Sequence, residues 1–288
     1  MSSRPWPVLS LLLALAILAP TKQPTRASSP TVELRHLTAI PPRPANAMTG
    51  TQFARSTAGM SGPERQKAAV KEILKGNVPS FMHLLRPITL SAQLPSGEEA
   101  SAVVWVTPDY VAIGSDEDFL RMPLTLPSAE IVAAAFGCVL PTTRIVDAVW
   151  EQADIHLVPN PLPPGPRMRS SEYYLRHRDL IEAQRGHLPP KMLIAGHKKD
   201  VVLTERLRRK GRIAIYGWHR RNGNPIQPLS TVHGARYADY SHGLRLVSNE
   251  VLVNGQPRSI FDILQDPTLA PLLSSEGPLK QPRALLKP

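Results

Sequence analysis

Apolar side chains are spread very unevenly along this chain. From Pro7 to Ala19 they are nearly continuous, with VLSLLLALAILA at the centre. From Ser28 to about residue 60 no apolar period is sustained, and Ser, Thr, Pro and Ala prevail. Further on, two periods alternate. Ala68, Ala69, Ile73 and Leu74 form a helical stripe after Ser61-Gly62-Pro63-Glu64, a helix start with proline in its first turn, and Gly76 stops it. Ser128 opens a second helix, SAEIVAAAF, which ends at Gly137. Another begins near Pro141-Thr142 and carries Ile145, Val146, Val149 and Trp150, and a further one runs from about Ser171 to Gln184 after the proline-dense loop Pro159 to Pro166.

Strand signals occupy the stretches between and after these helices. Pro87 to Gln93, Ala102 to Val106 and Tyr110 to Ile113 are separated by the turns Pro95-Ser96-Gly97 and Thr107-Pro108-Asp109. Lys191 to Ala195, Arg212 to Trp218, Gly243 to Ser248 and Glu250 to Val253 follow, with Asn254-Gly255 as a hairpin turn. Short helical turns near Ile260 to Leu264 and Leu269 to Leu273 close the pattern. The pattern predicts an α+β fold of one domain, with a mostly antiparallel sheet and helices between two sets of strands. We place that globular domain at residues 61–276, between a disordered leader at 28–60 and a flexible basic tail at 277–288.

The first apolar run changes the picture of where the protein goes. Arg4 precedes it, and Thr25-Arg26-Ala27 supplies small residues for a cut before Ser28, so residues 1–27 read as a secretory signal peptide. The run is shorter than the ~18–20 apolar residues a spanning helix needs, and Pro20 ends it. The expected location is secreted or periplasmic, with no transmembrane segment after processing. The formal charge is +11, of which Arg4, Lys22 and Arg26 leave with the signal. The basic remainder favours anionic surfaces such as cell-wall polymers. Aromatics make up 5% of residues and no nucleic-acid motif accompanies Arg206 to Arg212, so specific nucleic-acid binding is not expected.

A single cysteine, Cys138, excludes an intrachain disulfide, so stability must come from a hydrophobic core. Cys138 follows Gly137 just ahead of a helix start, where a helix dipole favours thiolate; it reads as a nucleophile, as a small apolar filler between two packed helices, or as an intermolecular bridge. A second concentration of chemistry is Thr231 to Gly243, which holds His233, Tyr237, Asp239, Tyr240, Ser241 and His242 ahead of the apolar LRLV. In extended backbone Tyr240 and His242 share one face while Asp239 and Ser241 share the other. Gly196-His197-Lys198 and Gly217-Trp218-His219 end neighbouring strands and add candidate substrate contacts: His197, Lys198, Trp218 and His219.

A lone cysteine near a helix start, followed by a histidine on a later strand of an α+β domain, resembles the papain-like cysteine peptidases, in particular the exported NlpC/P60-type cell-wall amidases. The resemblance implies Cys138 as nucleophile and His242 as its base. The polar stretch itself adds Asp239 as a catalytic candidate that could orient His242, and His233, Tyr237 and Tyr240 as candidate substrate contacts; no cofactor or metal is expected in this reading. The reaction would be hydrolysis of a peptide or cell-wall amide through an acyl-enzyme. Two other readings stay open. His233, Asp239 and His242 offer nitrogen, oxygen and nitrogen ligands for a zinc hydrolase, with Glu250, His197 or His219 as an additional ligand or base. Alternatively the basic surface belongs to a non-catalytic protein that binds an envelope polymer.

Overall fold

Local sequence rules set most element boundaries in the computed structural model, which describes residues 33–287 apart from 187, 188 and 190; the expected signal peptide, 1–27, lies outside them. The described chain opens with strand β1 (Arg35–His36) and helices α1 (Gly50–Ser56) and α2 (Gly62–Leu74). Two long strands follow, β2 (Leu84–Gln93) and β3 (Glu99–Val106), then a small hairpin of β4 (Ala112–Gly114) and β5 (Phe119–Arg121). Helices α3 (Leu126–Ala135) and α4 (Thr143–Glu151) flank β6 (Cys138–Val139). After β7 (Ile155–His156) and the proline loop comes α5 (Ser171–Arg185). The second half contains β8 (Ile194–Ala195), β9 (Lys199–Val201), β10 (Ile215–His219) and β11 (Pro225–Ser230). It ends with β12 (His242–Gly243), β13 (Val247–Val253), β14 (Gln256–Ser259), α6 (Ile260–Gln265) and α7 (Pro282–Leu286).

The helix starts follow from capping. Ser61 accepts from the Glu64 amide while the Glu64 side chain returns to the Ser61 amide, so two orphan donors of α2 are satisfied reciprocally. Thr125 and Thr142 cap α3 and α4 one way only, accepting from the Ser128 and Ile145 amides. Strands β2 and β3 pair in unbroken antiparallel register from Arg86↔Val106 to Gln93↔Glu99, and alternate residues Ala100, Ala102, Val104 and Val106 face the core. Asn254 and Gly255 both have positive φ, which suits the tight turn joining β13 to β14.

The architecture is the expected single-domain α+β, built on mostly antiparallel sheets. One sheet runs β1-β2-β3-β13-β14, with β6 also paired to β13; a second runs β11-β10-β9-β12. β12 lies parallel to β9, with His242 opposite Lys199 and Gly243 opposite Asp200.

Several boundaries differ from the sequence reading. Residues 33–60 are part of the fold: β1 pairs with β2, α1 carries a capping box, and Leu37, Ile40, Phe53 and Ala54 are buried. These few apolar side chains form no period of their own, yet each finds a site on the core. The tail is also docked, because α7 buries Leu285 and Leu286. Finally, the strand expected from Gly243 to Ser248 is interrupted. Arg245 turns inward and donates to the carbonyls of Thr107 and Ile194, both at 2.6 Å, with its guanidinium 4.6 Å from the Tyr110 ring centre. Gly243 makes room there, since a Cβ would lie 2.6 Å from Tyr110 Cδ1.

Candidate functional site

The turn before β12 gathers the chemistry. Ser241 donates from both its amide (2.8 Å) and its hydroxyl (2.6 Å) to Asp239 Oδ1, and Tyr237 donates its hydroxyl to Oδ2 at 2.9 Å. The His242 amide donates to the Asp239 carbonyl at 3.0 Å. This tight turn, rather than an extended strand, brings Asp239 and His242 to the same side, which corrects the face assignment from alternation. His242 Nε2 stands 3.9 Å from Asp239 Oδ2, and neither ring nitrogen of this fully buried imidazole has a hydrogen-bond partner. The Tyr237 ring packs edge-on to His242 at 5.7 Å and stacks flat on His233 at 4.0 Å.

The electrostatics follow from burial and neighbours. Burial opposes the charge on Asp239, but His242, the Ser241 hydrogen bonds and Lys199 outweigh it and hold the carboxyl below its usual range. Burial drives the His242 pKa down; Asp239 opposes the shift, and Lys199, His233 and Lys198 add to it. The pair is therefore a carboxylate beside a neutral imidazole at pH 7. Lys199, half-buried with its ammonium 4.9 Å from the Trp218 ring centre, is the adjacent cation.

A cleft of about 630 Å³ opens beside this turn. Tyr174 and Ala238 line it, and Asp239 follows directly in the chain. Arg169, on its wall, lies 5.6 Å from the Tyr237 ring centre, and Tyr237 stands between this wall residue and His242 without lining the cleft itself.

Several expected site residues are occupied elsewhere. Cys138 lies in β6 against β13 of the first sheet, whereas His242 lies on β12 of the second. Its thiol is hydrogen-bonded to the Phe136 carbonyl, and the imidazole of His242 has no partner, so the two do not form a hydrogen-bonded dyad. Burial pushes the thiol pKa up to about 12, the opposite of what a thiolate nucleophile requires. Lys198 is buried and donates to the Tyr240 carbonyl at 2.5 Å; Lys199, the first residue of β9, is the less buried of the two. The Tyr240 hydroxyl is held by the Leu162 amide and carbonyl.

His197 bonds to Asp109, whose carboxylate is clamped by the buried Arg121, which in turn reaches Glu182. This charge network ties β5 and α5 to the loops that carry Asp109 and His197. His219 pairs with Asp147 on α4 at 3.1 Å and stacks on Trp150. Trp218 is buried, with φ of 58° and an unpartnered indole nitrogen. Among the described residues no group of His, Cys, Asp and Glu is arranged to hold a metal ion, because His233 stacks on Tyr237 instead of converging on Asp239 and His242.

Sequence reasoning passed over Arg245, Arg169 and His177. Arg245 left a signal: an arginine inside the apolar run LRLV must either face water or find buried acceptors. His177 left none, since a histidine midway along α5 looks like any polar helix residue. It is fully buried, 4.9 Å from the Tyr240 ring centre, with both ring nitrogens unpartnered. Comparison with protein-family models, curated proteins and solved structures finds no match to this chain.

Proposed function

We propose that this protein is an exported hydrolase whose centre is the Asp239–His242 pair, acting on amide bonds through an activated water rather than a thiol. One observation carries the reading: a neutral, buried imidazole with no hydrogen-bond partner stands beside a carboxylate held ionised by three hydrogen bonds. Buried polar groups are normally satisfied, so unpartnered ones next to a cleft are where a substrate or water finds its place.

In this mechanism His242 removes a proton from water, and the oxygen adds to the amide carbonyl carbon. Asp239 stabilises the imidazolium that forms, and the Lys199 ammonium offsets the negative charge on the carbonyl oxygen. The imidazolium then returns its proton to the leaving amine as the C–N bond breaks, giving a carboxylate and an amine. Tyr237 covers His242 and must swing aside for substrate to enter.

The test is amine release from peptides and cell-wall fragments, followed by mass spectrometry. Wild type and Cys138→Ala should both cleave, chelators should leave the rate unchanged, and His242→Asn should be inactive. Loss of activity in Cys138→Ala would restore the thiol mechanism. Absence of cleavage across all substrates would leave a polymer-binding protein.

A further inference from the structure

The cleft beside the Asp239 turn has an unusual lining. Lys67, Arg169 and Arg236 bring exposed cationic heads to it, Arg65 lies in its wall, and no Asp or Glu lines it. Arg65 is fully employed, donating to the carbonyls of Thr57, Met60 and Arg169. The other three differ: among the described residues none of Lys67, Arg169 and Arg236 is joined to a carboxylate. Three uncompensated cations around one cavity repel one another, and an anionic ligand relieves that repulsion.

The rest of the wall narrows the class. Pro63, Val70, Pro127, Ile131 and Tyr174 are apolar, and Ile131 is one of the few large apolar side chains left exposed, at 48%. A site for a phosphate cluster would be lined by donors throughout; alternating apolar and cationic positions suit a chain that carries both aliphatic groups and carboxylates. The volume is that of a site for a few residues, within the roughly 300–1,000 Å³ range of ligand pockets.

We propose that this cleft binds an acidic peptide segment, with its carboxylates on Lys67, Arg169 and Arg236 and its aliphatic groups on Val70 and Ile131. This inference rests on the hydrolase reading only for its link to catalysis: Arg169 against Tyr237 and Ala238 before Asp239 would deliver the segment to His242. Binding itself does not require the reaction.

The probe is a capped peptide, acetyl-Ala-Glu-Ala-Glu-Ala-amide, compared with its Gln isostere by calorimetry on the mature protein. The acidic peptide should bind at least ~10-fold more tightly than the Gln form, and weaken as salt rises. The triple variant Lys67→Gln, Arg169→Gln, Arg236→Gln should lose ~10-fold or more, with circular dichroism reporting that it remains folded. His242→Asn should bind as wild type does, so a failure of catalysis leaves this result standing. Equal affinity for both peptides, or unchanged binding by the triple variant, would overturn the proposal. Tighter binding of inorganic polyphosphate than of the acidic peptide would also overturn it, because the ligand would then be phosphate.

Discussion

His242 Nε2 lies 3.9 Å from Asp239 Oδ2, close enough for the carboxylate to act on the ring's charge and too far for a hydrogen bond. The tight turn sets this gap, because Ser241 and Tyr237 already pull both Asp239 oxygens into fixed positions. Asp239 raises the His242 pKa against burial, so Asp239→Asn should lower it further. The acid limb of the pH–rate profile should move to lower pH, with a rate loss on the order of 10²–10⁴. An NMR titration of the imidazole reads the same shift without substrate; an unmoved pKa would show that the two groups are not coupled.

Cys138 should be silent in chemistry and modest in stability. With burial pushing its pKa to about 12, the thiol should resist iodoacetamide in the native protein and react only after unfolding. Cys138→Ala should cost about 1 kcal/mol in urea unfolding from lost packing. Rapid native alkylation at pH 7 would contradict the buried geometry.

Buried neutral histidines make the fold acid-sensitive. Burial holds His177 far below its ordinary value and His197 at about 4. Below pH 6.5 the unfolded chain takes up protons that the folded state refuses, so stability falls as pH falls. Each such group contributes about 1.4 kcal/mol per pH unit in that window. His177→Phe should remove one share, gaining about 1–2 kcal/mol on wild type between pH 7 and pH 5. Parallel stability curves for the two proteins would rule this out.

Lys198 acts at the other end of the scale. Its pKa is pushed down to about 7 from 10.5, chiefly by burial. Between those values the unfolded chain holds more protons than the folded one, so stability rises with pH, and the full burden of the charge is present below about 7. Lys198→Met should therefore be more stable than wild type near pH 7, by ~1 kcal/mol after losing the Tyr240 hydrogen bond. The advantage should shrink towards pH 10, as thermal melts across that range would reveal; an advantage that grows with pH would reverse the assignment.

What the chain determined by itself was whatever neighbours in sequence decide. The Ser61–Glu64 box starts α2 and the Asn254-Gly255 turn closes the last hairpin, because each depends on groups within a few residues. Alternation in Ala100 to Val106 needed only a sheet of some kind. The polar stretch Tyr237 to His242 was visible for the same reason, its hydrogen bonds to the Asp239 carboxylate spanning two residues each. Tertiary structure alone decided which of these groups meet. Cys138 and His242 went to different sheets, and Lys198 was turned inward while Lys199 was left near Asp239. Residues 33–60 became ordered because Leu37 and Phe53 found core sites supplied by segments far along the chain, and the Arg245 carbonyl acceptors lie 138 and 51 residues away. Periodicity records how a segment presents itself to a core. It carries no record of which distant segment supplies the other side, and that is the contact that makes a site.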